Sequence, residues 1–167
     1  MRWLRFVLLL LIVTMLQADM VDIIAVPGFN IKPDLLLILL VFFATNYDMS
    51  EAIIASFIIG FAADIIVVGS SMGPRIISFG LFGSLLTQMH QVMAIRKMRY
   101  QSLAVLVTGI LAGVFVSLLT FLKGQSTSAN IYSELFGIPL YSAILGPFLF
   151  LPLGWWMRIK TKRSSRV

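Results

Sequence analysis

Six stretches of the chain are apolar almost without a break: residues 3–24, 34–46, 51–68, 75–95, 102–122 and 138–156. A helical span of a roughly 30 Å hydrocarbon core needs about 20 such residues, so most of these stretches are long enough to cross, and the turns between them are short. The 167 residues leave room for five or six spans and none for a soluble domain. Only 12% of the residues are charged and 59% are hydrophobic, against about 25% charged in a soluble domain, and the mean hydropathy is +0.98. The reading is an all-α polytopic membrane protein, one integral domain over residues 1–167 with six transmembrane helices, ending in a basic cytoplasmic tail at 157–167.

The formal net charge of +6 would suggest nucleic acid if the basic residues were spread over a surface, but they cluster at the chain ends and in one loop. They read as topology markers, and no nucleic-acid partner is expected. With both termini cytoplasmic, that side holds Arg2, Arg5, Arg96, Lys97, Arg99, Arg158, Lys160, Lys162, Arg163 and Arg166, against Lys32, Arg75 and Lys123 outside. Six spans satisfy this positive-inside distribution, with N- and C-termini on the same side. Gln17-Ala18-Asp19-Met20 lacks a small-x-small cleavage pattern, so the first stretch reads as an uncleaved span. Cysteine is absent, which removes disulfides, thiolate metal sites and cysteine nucleophiles.

The apolar rule is broken most sharply at Gly60-Phe61-Ala62-Ala63-Asp64 and in the turn Gly69-Ser70-Ser71-Met72-Gly73-Pro74-Arg75. A carboxylate near the end of an apolar helix costs about 2 to 4 kcal/mol if it faces lipid, so Asp64 calls for protein around it. Ala52, Ser56 and Gly60 recur at every fourth position and lead to Asp64, a small-residue stripe along which helix backbones approach closely. The short turn makes Arg75 the first candidate to pair with Asp64, and Pro74 suits the start of the next helix. Span five carries a similar stripe in Gly109, Gly113 and Ser117.

Span two opens at Lys32-Pro33-Asp34, where Pro33 is tolerated in a first turn and Asp34 complements the helix dipole. From Leu35 to Ala44 no polar side chain interrupts it, so this part can face lipid on all sides. Span four puts Gly83, Thr87 and His90 on one side and Gly80, Ser84, Gln88 and Gln91 on a neighbouring one. Pro147 and Pro152 predict a kink in span six, and Trp155 and Trp156 suit the headgroup level. In this topology Asp19, Asp22, Asp34 and Asp64 all fall in the outer third of the membrane.

Three readings of Asp64 stand side by side: a helix-end carboxylate that pairs or reaches water, a polar anchor for a partner, and a coupling site for protons or ions. The last would need further ionisable groups deeper in the span, where there are none. Asp19 and Asp22 read as a solvated rim. His90 is the one histidine and cannot complete a metal site of three or four protein ligands. Ser56, Ser78 and Ser84 have no base at helical spacing, so no catalytic, metal or cofactor site is expected. The tail from Arg158 to Arg166 reads as an anchor for anionic lipid or a contact for a cytoplasmic protein.

Lys32-Pro33-Asp34 opening the apolar run Leu35–Leu40, then Gly60-x-x-x-Asp64, then the turn Gly69-Ser70-Ser71-Met72-Gly73, resemble in that order the MreD family of rod shape-determining proteins. Length, six spans and a basic tail after an aromatic end agree, and the specific part of the resemblance lies within about residues 32–75. Two positions depart from the pattern: Phe61-Ala62-Ala63 stands where a further glycine and leucines are common, and Lys32 where arginine is common.

The resemblance implies a non-catalytic inner-membrane scaffold of the bacterial cell-elongation machinery, which binds the bitopic protein MreC and helps regulate peptidoglycan synthesis. Through MreC it would reach RodA, its class B penicillin-binding transpeptidase and the MreB filament, with membrane lipid around it and a homodimer left open. Pro33, Asp34, Gly60, Asp64, Gly69, Gly73 and Arg75 are then the partner-binding or structural candidates, with Ser56, Gly109, Gly113 and Ser117 for helix packing. The family is also similar in fold to the substrate-binding subunits of energy-coupling-factor transporters. That keeps a second function in view, a small-molecule-binding subunit in which the outer carboxylates and Trp3 or Tyr132 line a pocket.

Overall fold

The computed structural model describes residues 3–20, 33–66, 73–92, 98–124 and 133–157; Asp22, Lys32, Gly69, Tyr132 and the tail from 158 lie outside the described residues. Each apolar stretch contains one α-helix: α1 (Trp3–Met15), α2 (Leu35–Asn46), α3 (Met49–Ile66), α4 (Pro74–Val92), α5 (Met98–Leu122) and α6 (Ile138–Trp156). Wider π-helical turns continue α1 over Leu16–Met20 and lead into α6 over Ser133–Gly137. No strand occurs among the described residues. Three segments are long and apolar enough to cross a membrane, Met49–Ile66, Gln101–Leu122 and Leu135–Trp156.

The sequence suggests lipid on every side of α2, and the structure corrects this. Every residue from Leu36 to Thr45 is buried, and each of the other five helices packs against α2. Uniform apolarity conceals the difference, because a helix ringed by protein needs the same kind of surface as one ringed by lipid. Its 12 residues rise only ~18 Å, short of a roughly 30 Å hydrocarbon core. Sheltered by its neighbours, α2 has no need to match that thickness.

Aromatic rings fill the C-terminal half of this core. Phe43 meets Phe6 edge-on at 4.9 Å and stacks on Tyr47 at 5.0 Å, and Phe42 lies 5.6 Å from Phe150. Tyr47 closes α2, its backbone N–H donating to the Phe43 carbonyl at 3.2 Å. Burial, reinforced by the negative charge of Glu51 and opposed by Arg5, pushes the Tyr47 phenol up to about 12. It therefore stays protonated well above neutral pH.

The outward sides are as apolar as the core. On α3 they present Ile54, Phe57, Phe61 and Ile65, and on α5 Leu103, Val107, Leu111, Val114 and Leu118, all exposed. Faces this large and greasy call for lipid or a partner rather than water. α6 continues unbroken through Pro147 and Pro152, whose missing N–H groups leave the carbonyls of Ala143 and Phe148 without their helical donors. α1 packs on α2 and α3, and α6 on α5 and α2, so the two flank α2 from separate sides.

Candidate functional site

Asp64 lies in the last turn of α3, only 5% exposed, at the point where α4 begins. Its Oδ2 accepts the backbone N–H of Gly73 at 2.9 Å and of Ile76 at 3.1 Å, and its Oδ1 accepts that of Arg75 at 3.2 Å. Pro74 has no N–H to satisfy, and Ile77 donates to the Gly73 carbonyl at 3.1 Å. Every donor that a helix start ordinarily leaves orphaned is thereby paired. The residue before Pro74 is a glycine with no side chain to cap with, and the preceding helix supplies the acceptor instead.

This arrangement accounts for a buried anion in an apolar setting. Three converging N–H groups and the positive end of a helix dipole replace the water the carboxylate has lost. The expected pair with Arg75 is thus corrected: it is the backbone of Arg75, not its guanidinium, that meets the carboxylate. The amides at the helix start are fixed and already converge, whereas a long side chain must be ordered before it can pair.

Gly60, one turn before Asp64 on the same stripe, brings α4 close enough for the cap to form. A Cβ there would stand 2.9 Å from Ile76 Cα and 3.0 Å from the Arg75 carbonyl oxygen, backbone atoms with little freedom to yield. Gly73 has φ of +127°, a conformation open to glycine and strained for other residues. Deeper in the seam a Cβ at Gly83 would collide with the Ser56 side chain. The buried hydroxyls of Ser56 and Thr87 donate to the Ala52 and Gly83 carbonyls of their own helices at 2.8 Å.

Pro33 and Asp34 form a second centre, apart from Asp64, at the start of α2. Asp34 is the N-cap, and Oδ1 accepts the Leu37 N–H at 3.0 Å. Pro33 accordingly precedes the cap rather than occupying the first turn, because Asp34 is still extended at φ −92° and ψ 95°. The Asp34 N–H donates to Ser142 Oγ on α6 at 2.8 Å. Gln17 reaches across from the end of α1, accepting from the Leu35 N–H at 2.8 Å and donating to the Pro33 carbonyl at 3.3 Å.

Sequence reasoning overlooked Gln17 and Ser142. A polar side chain inside each apolar run was visible, but neither run indicates which helix lies opposite. In the α5 stripe, a Cβ at Gly109 would meet Leu37 Cδ2 at 2.7 Å and Pro139 Cβ at 2.8 Å, and one at Gly113 would lie 3.4 Å from Leu135 Cδ1. Ser117 is half-buried. No group of three or more His, Asp or Glu able to hold a metal occurs among the described residues.

A cleft of about 300 Å³ opens between α1, α2 and α6, lined throughout by apolar side chains that include Leu9, Ile12, Ile38, Leu39, Leu153 and Trp156. None of the candidate residues lies on it, nor does Trp3. No curated protein and no solved structure matches the chain. A family model described as rod shape-determining protein MreD matches residues 1–162.

Proposed function

The chain belongs to the MreD family of rod shape-determining membrane proteins, and from that premise we propose that it is a non-catalytic scaffold of the bacterial cell-elongation machinery. It crosses the cytoplasmic membrane six times with both termini inside, and its lipid-facing surface receives the single transmembrane helix of an MreC-type bitopic protein. RodA, its class B penicillin-binding transpeptidase and the MreB filament are reached through that partner, which gives the chain its influence on peptidoglycan synthesis.

The observation that carries this reading is where the polar groups are used. Asp64, Asp34, Gln17 and Ser142 all join this chain's own helices, while the outward sides of α3 and α5 are apolar. Such a body offers a partner surface and close packing rather than a reacting group. Gly60 and Asp64 shape it from within, on the side of α3 that meets α4. The apolar lining of the cleft supports this reading over a small-molecule-binding subunit, whose ligand needs a few convergent polar groups.

Photo-crosslinking residues placed in living cells at Phe61, Val107 and Phe148 test the proposal on three outward faces. The expected result is a crosslink from one of them to the bitopic partner, and loss of rod shape when the chain is depleted. Rods that persist on depletion, with no crosslink from any face, would overturn it.

A further inference from the structure

The two halves of α6 are held very differently. Up to Gly146 the helix is keyed to its neighbours: Pro139 fills the hollow at Gly109, Ser142 Oγ accepts the Asp34 N–H at 2.8 Å, and Pro139, Ser142, Ala143 and Gly146 are all buried. Beyond that point Phe150, 5.6 Å from Phe42, is the one buried residue of the helix, with Met157 buried where it ends. A Cβ added at Gly154 would have nothing within 4 Å. Among the described residues no hydrogen bond ties the segment from Pro147 to Trp156 to another helix. Every α6 residue on the cleft, namely Leu149, Pro152, Leu153 and Trp156, belongs to this looser half.

Pro147 stands at the boundary. It supplies no N–H to the Ala143 carbonyl, and Pro152 supplies none to that of Phe148, so the helix lacks two of its rungs where it leaves its anchored half. Such positions are where helices bend, and the cleft leaves about 300 Å³ beside this half on the side of α1. We propose that Pro147–Trp156 is a hinged flap, pivoting at Gly146-Pro147 to narrow the cleft by carrying Leu149, Leu153 and Trp156 towards Leu9, Ile12 and Leu16 of α1. The movement sets apolar side chains against apolar ones and leaves the bond from Asp34 to Ser142 intact. Phe150 on Phe42 and Met157 at the helix end resist it. Phe148, Leu151 and Trp155 are exposed on the outer side of the same segment, so pressure applied there moves the cleft wall.

The chain has no cysteine, so introduced cysteine pairs can carry spin labels without other changes. In the full-length protein in lipid nanodiscs, double electron–electron resonance between labels on Leu11→Cys and Leu151→Cys reads the flap, and between Leu11→Cys and Ile144→Cys the anchored half. All three sites are exposed and off the cleft. The expected result is two distances for the first pair, the shorter being the closed flap, and a single distance for the second. Pro147→Ala restores the missing N–H, and a helical hydrogen bond worth about 1 kcal/mol should cut the ratio of shorter to longer population about fivefold. Phe150→Leu, which removes the ring that meets Phe42, should raise that ratio.

A single distance between positions 11 and 151, as narrow as that between 11 and 144, would overturn the proposal. So would two distances whose ratio Pro147→Ala leaves unchanged, which would put the motion somewhere other than the proline junction. Two distances for both pairs would show α6 moving as a whole, and would overturn the pivot as well.

Discussion

Two helices of this protein start in contrasting ways. α2 is capped by its own N-cap residue, Asp34, and braced by Gln17 and Ser142 from the helices on either side. α4 begins on a glycine with nothing to cap with, and borrows the carboxylate of Asp64 from the preceding helix. A local cap secures one helix. A borrowed cap secures two at the end where they meet, so α3 and α4 form one unit held there by Asp64 and along the seam by Gly60 and Gly83.

The largest effect is therefore expected at Asp64. Asp64→Ala leaves three partly buried N–H groups without an acceptor, at about 1–3 kcal/mol for each donor that water cannot reach, and a loss of about 3 kcal/mol or more in thermal unfolding of the detergent-solubilised protein is expected. Asp64→Asn retains one acceptor oxygen and should lose less. If both variants unfold like the wild type, the borrowed cap is not what joins the two helices.

Gly60→Ala comes next, because the added methyl meets the backbone of Ile76 and Arg75 and must push α4 away. Overpacking of this kind costs about 1–3 kcal/mol, and double-mutant analysis with Asp64→Ala should show strong non-additivity, since both residues act through one contact. Purely additive losses would separate the glycine from the cap. Asp34→Ala should cost about 1 kcal/mol, the usual value of a local N-cap, and Asp34→Ser should restore most of it. Failure of serine to rescue would show that the cap of α2 is not local in character.

The smallest effect is expected for Gln17→Leu. It removes two part-buried bonds at the entry of α2, one of them long at 3.3 Å and both replaceable by water at the helix end, and leaves the Asp34 cap in place, for a loss of about 0.5 kcal/mol. Faster amide exchange confined to the start of α2 would mark it as a brace, whereas a loss as large as that of Asp64→Ala would erase the contrast between the two helix starts.

Much of the candidate site was legible in the sequence, though its wiring was not. The spacing Ala52, Ser56, Gly60, Asp64 predicts a face turned towards protein, and all four are buried. The Gly109 stripe likewise marks a tight approach, to Leu37 and Pro139. Arg75 was the natural partner for Asp64 when only charges were weighed. The backbone N–H groups that meet the carboxylate belong to every non-proline residue and leave no mark in a sequence. Position 73 is informative in hindsight, since a glycine before Pro74 cannot cap its own helix.

Apolar run length was enough to specify an all-helical chain with one helix in each apolar stretch, because the patterns behind it are local along the chain. Which helix became the core was decided only by the tertiary arrangement. Leu35 to Ala44 carry no asymmetry around the helix, so lipid and protein surroundings are equally acceptable to them. The five helices packed around α2, drawn close at Gly60, Gly83 and Gly109, place it inside.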